Sequence, residues 1–358
     1  MVHESIAEGS RLTYQKGWNK WTSYCDDNGI DRNLTIIPWD YGVRPRLFIF
    51  EVAAVIAFMV YCFYVLQLAA STIDNYLFGI RFHLKASGRD CDFLQSYPLL
   101  QAKKALSIQC RQRKAVSETG SLPVSMAMIQ KYKQRKSTEV MENHGIFVAL
   151  ILAFTLLLHI SEYTVVPNAN QMPHHLRAQD IIFTVDGVQI PSHIFKKGHS
   201  RLMTGVTIKL RSCKNDQGGI GHTFSFQRRN VVQENTQCLC FILAQWAIRA
   251  RLSENDLFLS YRQQWQVTPA KVSTAVKFMA RMEGFDEKRF SSHSLRYGGA
   301  TALAAAGTPD SWIQTFGRWR SLAFLKYIKL SGRIFQQIQN VVMNESTVTT
   351  QDIATLLA

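Results

Sequence analysis

The chain has 358 residues, 47% hydrophobic and 11% aromatic, enough to build two domains with substantial apolar cores. Its formal net charge of +15 points to a polyanionic partner, and residues 116–358 carry +11 of it against +4 for 1–115. Seven scattered cysteines, without a CxxC pair or zinc-finger spacing, give no sign of a disulfide framework, which suits a reducing, intracellular compartment.

The polar start, MVHESIAEGSRL, does not read as a signal peptide. Residues 10–30 place Leu12, Trp18 and Trp21 at helical spacing with Tyr14 and Tyr24 between them, as a core stripe or a platform for stacked bases. PWDYGVRPR, 38–46, is a turn-rich connector. Val52 to Ala70 is nineteen residues long and nearly uniformly apolar, the length of a membrane span. No second comparable stretch exists, so a buried helix is the reading and a membrane-anchored protein the alternative. STIDNYLFGIRFHLKASG reads as a helix capped by Ser71 or Thr72 and ending at Gly88. Three to five helices fit within 1–115.

Two basic clusters follow. KKALSIQCRQRK supplies Lys103, Lys104, Arg111, Arg113 and Lys114; KYKQRK supplies Lys131, Lys133, Arg135 and Lys136. Both are candidates for phosphate contact or nuclear import, or are solvated helix faces. The loop SETGSLPVS lies between them, and 116–143 is expected as a basic linker.

The remainder, 144–358, reads as mixed α/β. An apolar helix at 145–158 leads into ISEY. IIFTV is a strand with a turn at Asp186-Gly187, and VTIKLRSCKNDQGG is a second strand ending in a turn. Residues 234–252 read as a helix, and another begins near Thr268-Pro269. In HSLRYGGATALAAAGTPD, His293 and Arg296 fall on one helical face and can address one phosphate together. Gly298 and Gly299 allow close backbone approach. The helix should end at Gly307, with Thr308 capping the next and Pro309 in its first turn.

His293, Arg296, the Gly-Arg-Trp turn at 317–319 and Tyr327 together resemble the active-site end of the tyrosine recombinases. The ISEY run and the KND hairpin extend the likeness toward eukaryotic Crypton-type mobile-element recombinases. The resemblance implies an α-helical, SAM-like core-binding domain at 1–115 that helps clamp DNA. A catalytic domain, mainly helical with a small antiparallel sheet, would follow at 144–358. It further implies a nuclear protein acting on double-stranded DNA as a homotetramer, with no cofactor or metal.

Residue by residue, the resemblance makes Tyr327 the nucleophile that leaves a 3′-phosphotyrosine, with Arg296 and His293 on the phosphate. Lys214 would protonate the leaving oxygen, with Lys209 as the alternative. The family's first arginine falls at His159, which lacks a bidentate fork and is mostly neutral near pH 7 without a partner. Arg177 is a distant substitute. Arg318 lies nine residues before Tyr327, where relatives carry His or Trp, and Trp319 would fill that place after a one-residue shift. The departure at His159 implies impaired cleavage, or a non-catalytic DNA-binding protein derived from such a recombinase.

Overall fold

The structure is a computed structural model that describes residues 8–35, 44–115, 121–165, 175–211, 221–228, 238–262, 265–319 and 321–326. The chain divides into two compact units, Met1–Thr119 and Gly120–Ala358.

The first unit is helical: α1 Glu8–Asp27, α2 Arg44–Tyr64, α3 Ala70–Ala86 and α4 Tyr97–Ala115. On α2, Val52, Val55, Met59, Cys62 and their neighbours are buried at steps of three and four, whereas Ala53, Ala57 and Val60 face out. The aromatic stripe of α1 is core: Trp21 is fully buried and meets Phe58 edge-on, with ring centroids 5.3 Å apart. Leu12, expected on that stripe, is exposed.

The expected helix over 52–70 is shorter than its apolar run. It ends at Tyr64, where Val65 and Leu66 amides turn back to the Tyr61 carbonyl and Gln67 takes a φ of 54°. No described helix is long and apolar enough to cross a membrane. Neither Ser71 nor Thr72 caps α3; its N-cap is Ala69, without a side-chain hydrogen bond.

The second unit is built around α6, Met141–Thr155, which is buried almost all round. Helices α5 (Met126–Arg135), α8 (Leu239–Ala250), α9 (Pro269–Met282) and α10 (His293–Ala305) pack on it or on each other. The sheet has the order β2-β1-β3-β4, every pair antiparallel, from Ile181–Val185, Val188–Pro191, Met203–Leu210 and His222–Gln227. The β1–β2 turn is the expected Asp186-Gly187, with φ values of 49° and 77°, as a two-residue hairpin demands. A short hairpin, β5 Ser260–Tyr261 and β6 Trp265–Gln266, precedes α9. The Thr268 hydroxyl caps α9 through the Lys271 amide, and Pro269 opens the helix. Within the expected linker, Met128, Ile129 and Tyr132 of α5 are buried in the second unit's core.

His144 on α6 carries a testable consequence. Its Nδ1 lies 2.9 Å from Arg249 Nη1. A guanidinium only donates, so Nδ1 accepts and the ring is neutral. Burial, and then Arg249 and Lys133, lower its pKa to about 4. An unfolded histidine titrates near 6.5, so between those values the unfolded chain holds a proton that the folded chain does not. Stability should therefore fall as pH drops through that window, by about 3 kcal/mol. Denaturant midpoints across it should fall less steeply for His144→Gln than for the natural chain.

Candidate active site

The C-terminal end of α6 gathers the motif residues. Helix α6 stops at Thr155, short of the expected 158, because Leu157 adopts a left-handed φ of 51°. That turn aims two helix-end carbonyls, which have no partner within the helix, at a pair of arginines. Arg296, only 2% exposed, donates Nη1 to the Leu157 carbonyl and Nη2 to the Gly317 carbonyl at 2.6 Å. Arg318 donates to the carbonyls of Leu156 and Leu157, each at 3.2 Å. Two cations at a helix C-terminus also complement its dipole.

Close packing explains the glycines after Arg296. A Cβ on Gly298 would lie 1.9 Å from the Val124 carbonyl oxygen, and one on Gly299 would lie 2.1 Å from that of Phe154. Any larger residue would push α10 away from α6 and withdraw Arg296 from its acceptors. The α10 helix then ends as expected, with Gly307 at a φ of 79°. The next helix, α11 (Asp310–Phe316), has Pro309 as its N-cap and no side-chain cap from Thr308.

His293 and His159 approach each other, with ring centroids 6.2 Å apart. His293 is exposed at the start of α10, and His159 is half-buried before α7, Ile160–Tyr163. The His159 amide donates to Glu162 Oε2 at 2.8 Å, and Arg318 Nη2 donates to the same oxygen at 2.9 Å. Trp319 lies over the Arg296 guanidinium at 4.1 Å and packs on the small cluster of Leu157, Ala300, Ile313 and Phe324. His159, His293, Arg296, Arg318 and Trp319 thus meet in one place.

Glu162 and Arg318 form a buried pair, with side chains 1% and 7% exposed. Burial pushes the Glu162 carboxyl up, while Arg318, the His159 amide and Arg296 pull it back. Removing the cation alone strands a carboxylate in the core and leaves two helix-end carbonyls short of donors. Arg318→Ala should therefore cost about 3–5 kcal/mol. Chemical denaturation checks this: a loss below about 1 kcal/mol would mean that water reaches the pair.

His222 was not singled out in the sequence, where it is one polar residue after a glycine run. It sits on β4 beside Phe224, whose ring lies 5.5 Å from the Arg318 guanidinium. Burial, and secondarily Arg318, lower its pKa. On β3, Leu210 is its antiparallel partner.

Other expected residues lie elsewhere or outside the described set. Tyr327 and Lys214 are outside it; the last described element before Tyr327 is a 3-10 turn, Leu322–Lys326. Lys209 is exposed on β3, and Arg177 donates Nη1 to the Asn255 carbonyl at 2.6 Å. Of the basic clusters, Lys103 pairs with Asp74 and Lys131 with Glu283, while Lys104 and Arg135 are exposed. Lys133 and Lys136 lie over the rings of Phe147 and Phe278. Arg111, Arg113 and Lys114 are on α4, with side chains outside the description.

No family model and no curated protein matches the sequence. Solved structures do. The pre-cleavage complex of the XerH site-specific recombinase with its difH substrate aligns with a TM-score of 0.52 at 14% identity, covering 93% of this chain and 79% of that one. The XerH post-cleavage complex with palindromic difH aligns at 0.51 and 12% identity, covering 81% and 70%. A mainly helical chain with a small antiparallel sheet, aligned over most of its length with these two structures, has the tyrosine-recombinase fold.

Proposed function

We propose that the chain binds double-stranded DNA and cuts and rejoins it through a 3′-phosphotyrosine on Tyr327. The observation that carries this reading is the cluster at the end of α6. Two histidines, two arginines and a tryptophan converge there, on a fold shared with site-specific recombinases.

In the proposed chemistry, the Tyr327 hydroxyl releases its proton to solvent as its oxygen attacks the scissile phosphorus in line; the bond from phosphorus to the 5′ oxygen breaks, and that oxygen takes a proton from Lys214. His293, the exposed member of the pair, contacts a nonbridging oxygen. Attack by a second strand's 5′ hydroxyl reverses the step and frees Tyr327. The phosphotyrosine conserves the bond energy, so the scheme needs no nucleotide or metal.

The geometry supports one division of the remaining roles. Arg318 is surrounded by protein acceptors and serves as a positioning residue, holding the Gly-Arg-Trp turn against α6 and Glu162. Trp319 takes the third position, beside Arg296. His159 stands where the first arginine would be and slows the reaction. We further propose assembly as a tetramer on paired sites, a nuclear location and descent from a Crypton-type mobile element, on the sequence motifs alone.

A second reading has its own observation. Arg296 is almost wholly buried and gives both terminal nitrogens to backbone carbonyls, which suits a structural cap as well as a phosphate ligand. That favours a DNA-binding protein derived from a recombinase that no longer cleaves. Covalent trapping on a nicked suicide duplex separates the two, because only the enzyme leaves a protein–DNA adduct.

Both readings require DNA binding driven by the +15 charge. Each phosphate neutralised releases about 0.9 counterion, so a footprint of 6–10 phosphates should lose roughly 10³–10⁵ in affinity between about 50 and 200 mM salt. Lys104→Glu and Arg135→Glu, at exposed cations, should each weaken binding across all sequences. Affinity independent of salt would remove the electrostatic basis of the proposal.

A further inference from the structure

We propose that a cleft at the C-terminal end of α8 is a second phosphate-binding site, which takes phosphodiester groups of the DNA backbone. The proposal rests on the reading of the chain as a DNA-binding protein. The cleft encloses about 710 Å³ and shares no lining residue with the His293–Arg296 cluster. Its polar wall comes from Arg249, Arg251, Ser253, Asp256, Tyr261 and Arg262.

Three guanidiniums face one carboxylate there. Arg249 is committed to the protein, with Nη1 on the Thr138 carbonyl and Nη2 on that of Glu139, so it supplies charge rather than free donors. Asp256 is engaged too, its Oδ2 accepting the Ser253 amide at 2.8 Å. Arg251 and Arg262 differ. Both are exposed, and neither guanidinium has a hydrogen bond or ion pair to a described residue; the Arg251 amide donates to the Ala247 carbonyl, and the Arg262 guanidinium only lies over the Tyr261 ring, 4.9 Å from its centre.

The backbone at both positions is left-handed, with φ of 52° at Arg251 and 53° at Arg262. Arg251 is also the C-cap of α8, a place where glycine is favoured. Glycine would suit both turns better, so the side chains rather than the turns account for two arginines at the rim of one cleft. A guanidinium fork matches a pair of phosphate oxygens. Two uncommitted forks on one wall are suited to adjacent phosphates of a strand.

The test uses the full chain and the double variant Arg251→Gly, Arg262→Gly, which keeps both turns in a conformation glycine adopts freely. Its melting temperature should equal or exceed that of the natural chain. Duplex affinity should drop, and the slope of log affinity against log salt should become shallower by about 1–2, one or two phosphate contacts fewer. Unchanged slope and affinity would overturn the proposal. If the natural chain binds no duplex at all, the DNA-binding reading falls instead, and inorganic phosphate decides the cleft. A rise in melting temperature with phosphate that the double variant lacks would keep an anion site for a free phosphate. No such rise would overturn that as well.

Discussion

His159→Arg should raise the rate of strand cleavage near neutral pH by about 10²–10³, the effect of adding one preorganised donor to a phosphorane. The position favours such a gain. His159 is half-buried, its ring lies 6.2 Å from that of His293, and its backbone amide is held by Glu162. A guanidinium there brings a charge present at every working pH and a fork for two oxygens. In the natural chain only an imidazolium can play that part, so residual cleavage should rise with acidity as the ring gains its proton. The arginine variant should lose this dependence. His293 is the same in both proteins, so the comparison isolates position 159. Should the folded, DNA-binding variant cleave no faster than its parent, another group already does the work of the first arginine.

Much of this arrangement was legible in the sequence because it depends on local rules. Thr268 and Pro269 announced a helix start, and Asp186-Gly187 announced a two-residue turn, through chemistry confined to a few neighbouring residues. His293 and Arg296 fall on one helical face by period alone. Gly298 and Gly299 signalled close approach, although what they approach, the carbonyls of Val124 and Phe154, required the fold.

What stayed hidden depends on distant contacts. Glu162 and Arg318 are 156 residues apart, and nothing local marks Glu162 as the acceptor for Arg318. The left-handed Leu157 sits in an uninterrupted apolar run, where no glycine or asparagine advertises the turn. Its conformation is held by tertiary contacts, the arginines on its own carbonyl and on that of Leu156. Ser71 and Thr308 are good capping residues that lie beside helix ends and do not cap them; propensity gave the neighbourhood and packing chose the residue. The apolar run of α2 outlasts its helix because Gln67 adopts a left-handed turn that hydropathy alone does not report.

The central claim is a covalent bond between DNA and Tyr327, and trapping that bond tests it most directly. A nicked suicide duplex bearing the target site lets the free 5′ fragment diffuse away after cleavage, so rejoining fails and the adduct accumulates. The natural chain, or His159→Arg if the parent is too slow, should yield a denaturant-resistant protein–DNA species. After proteolysis, the nucleotide should be found on the peptide carrying Tyr327. Tyr327→Phe removes only the attacking oxygen; it should abolish the species while leaving duplex affinity nearly intact. An adduct that persists undiminished in Tyr327→Phe, or one that maps to another residue in the natural chain, would contradict the account.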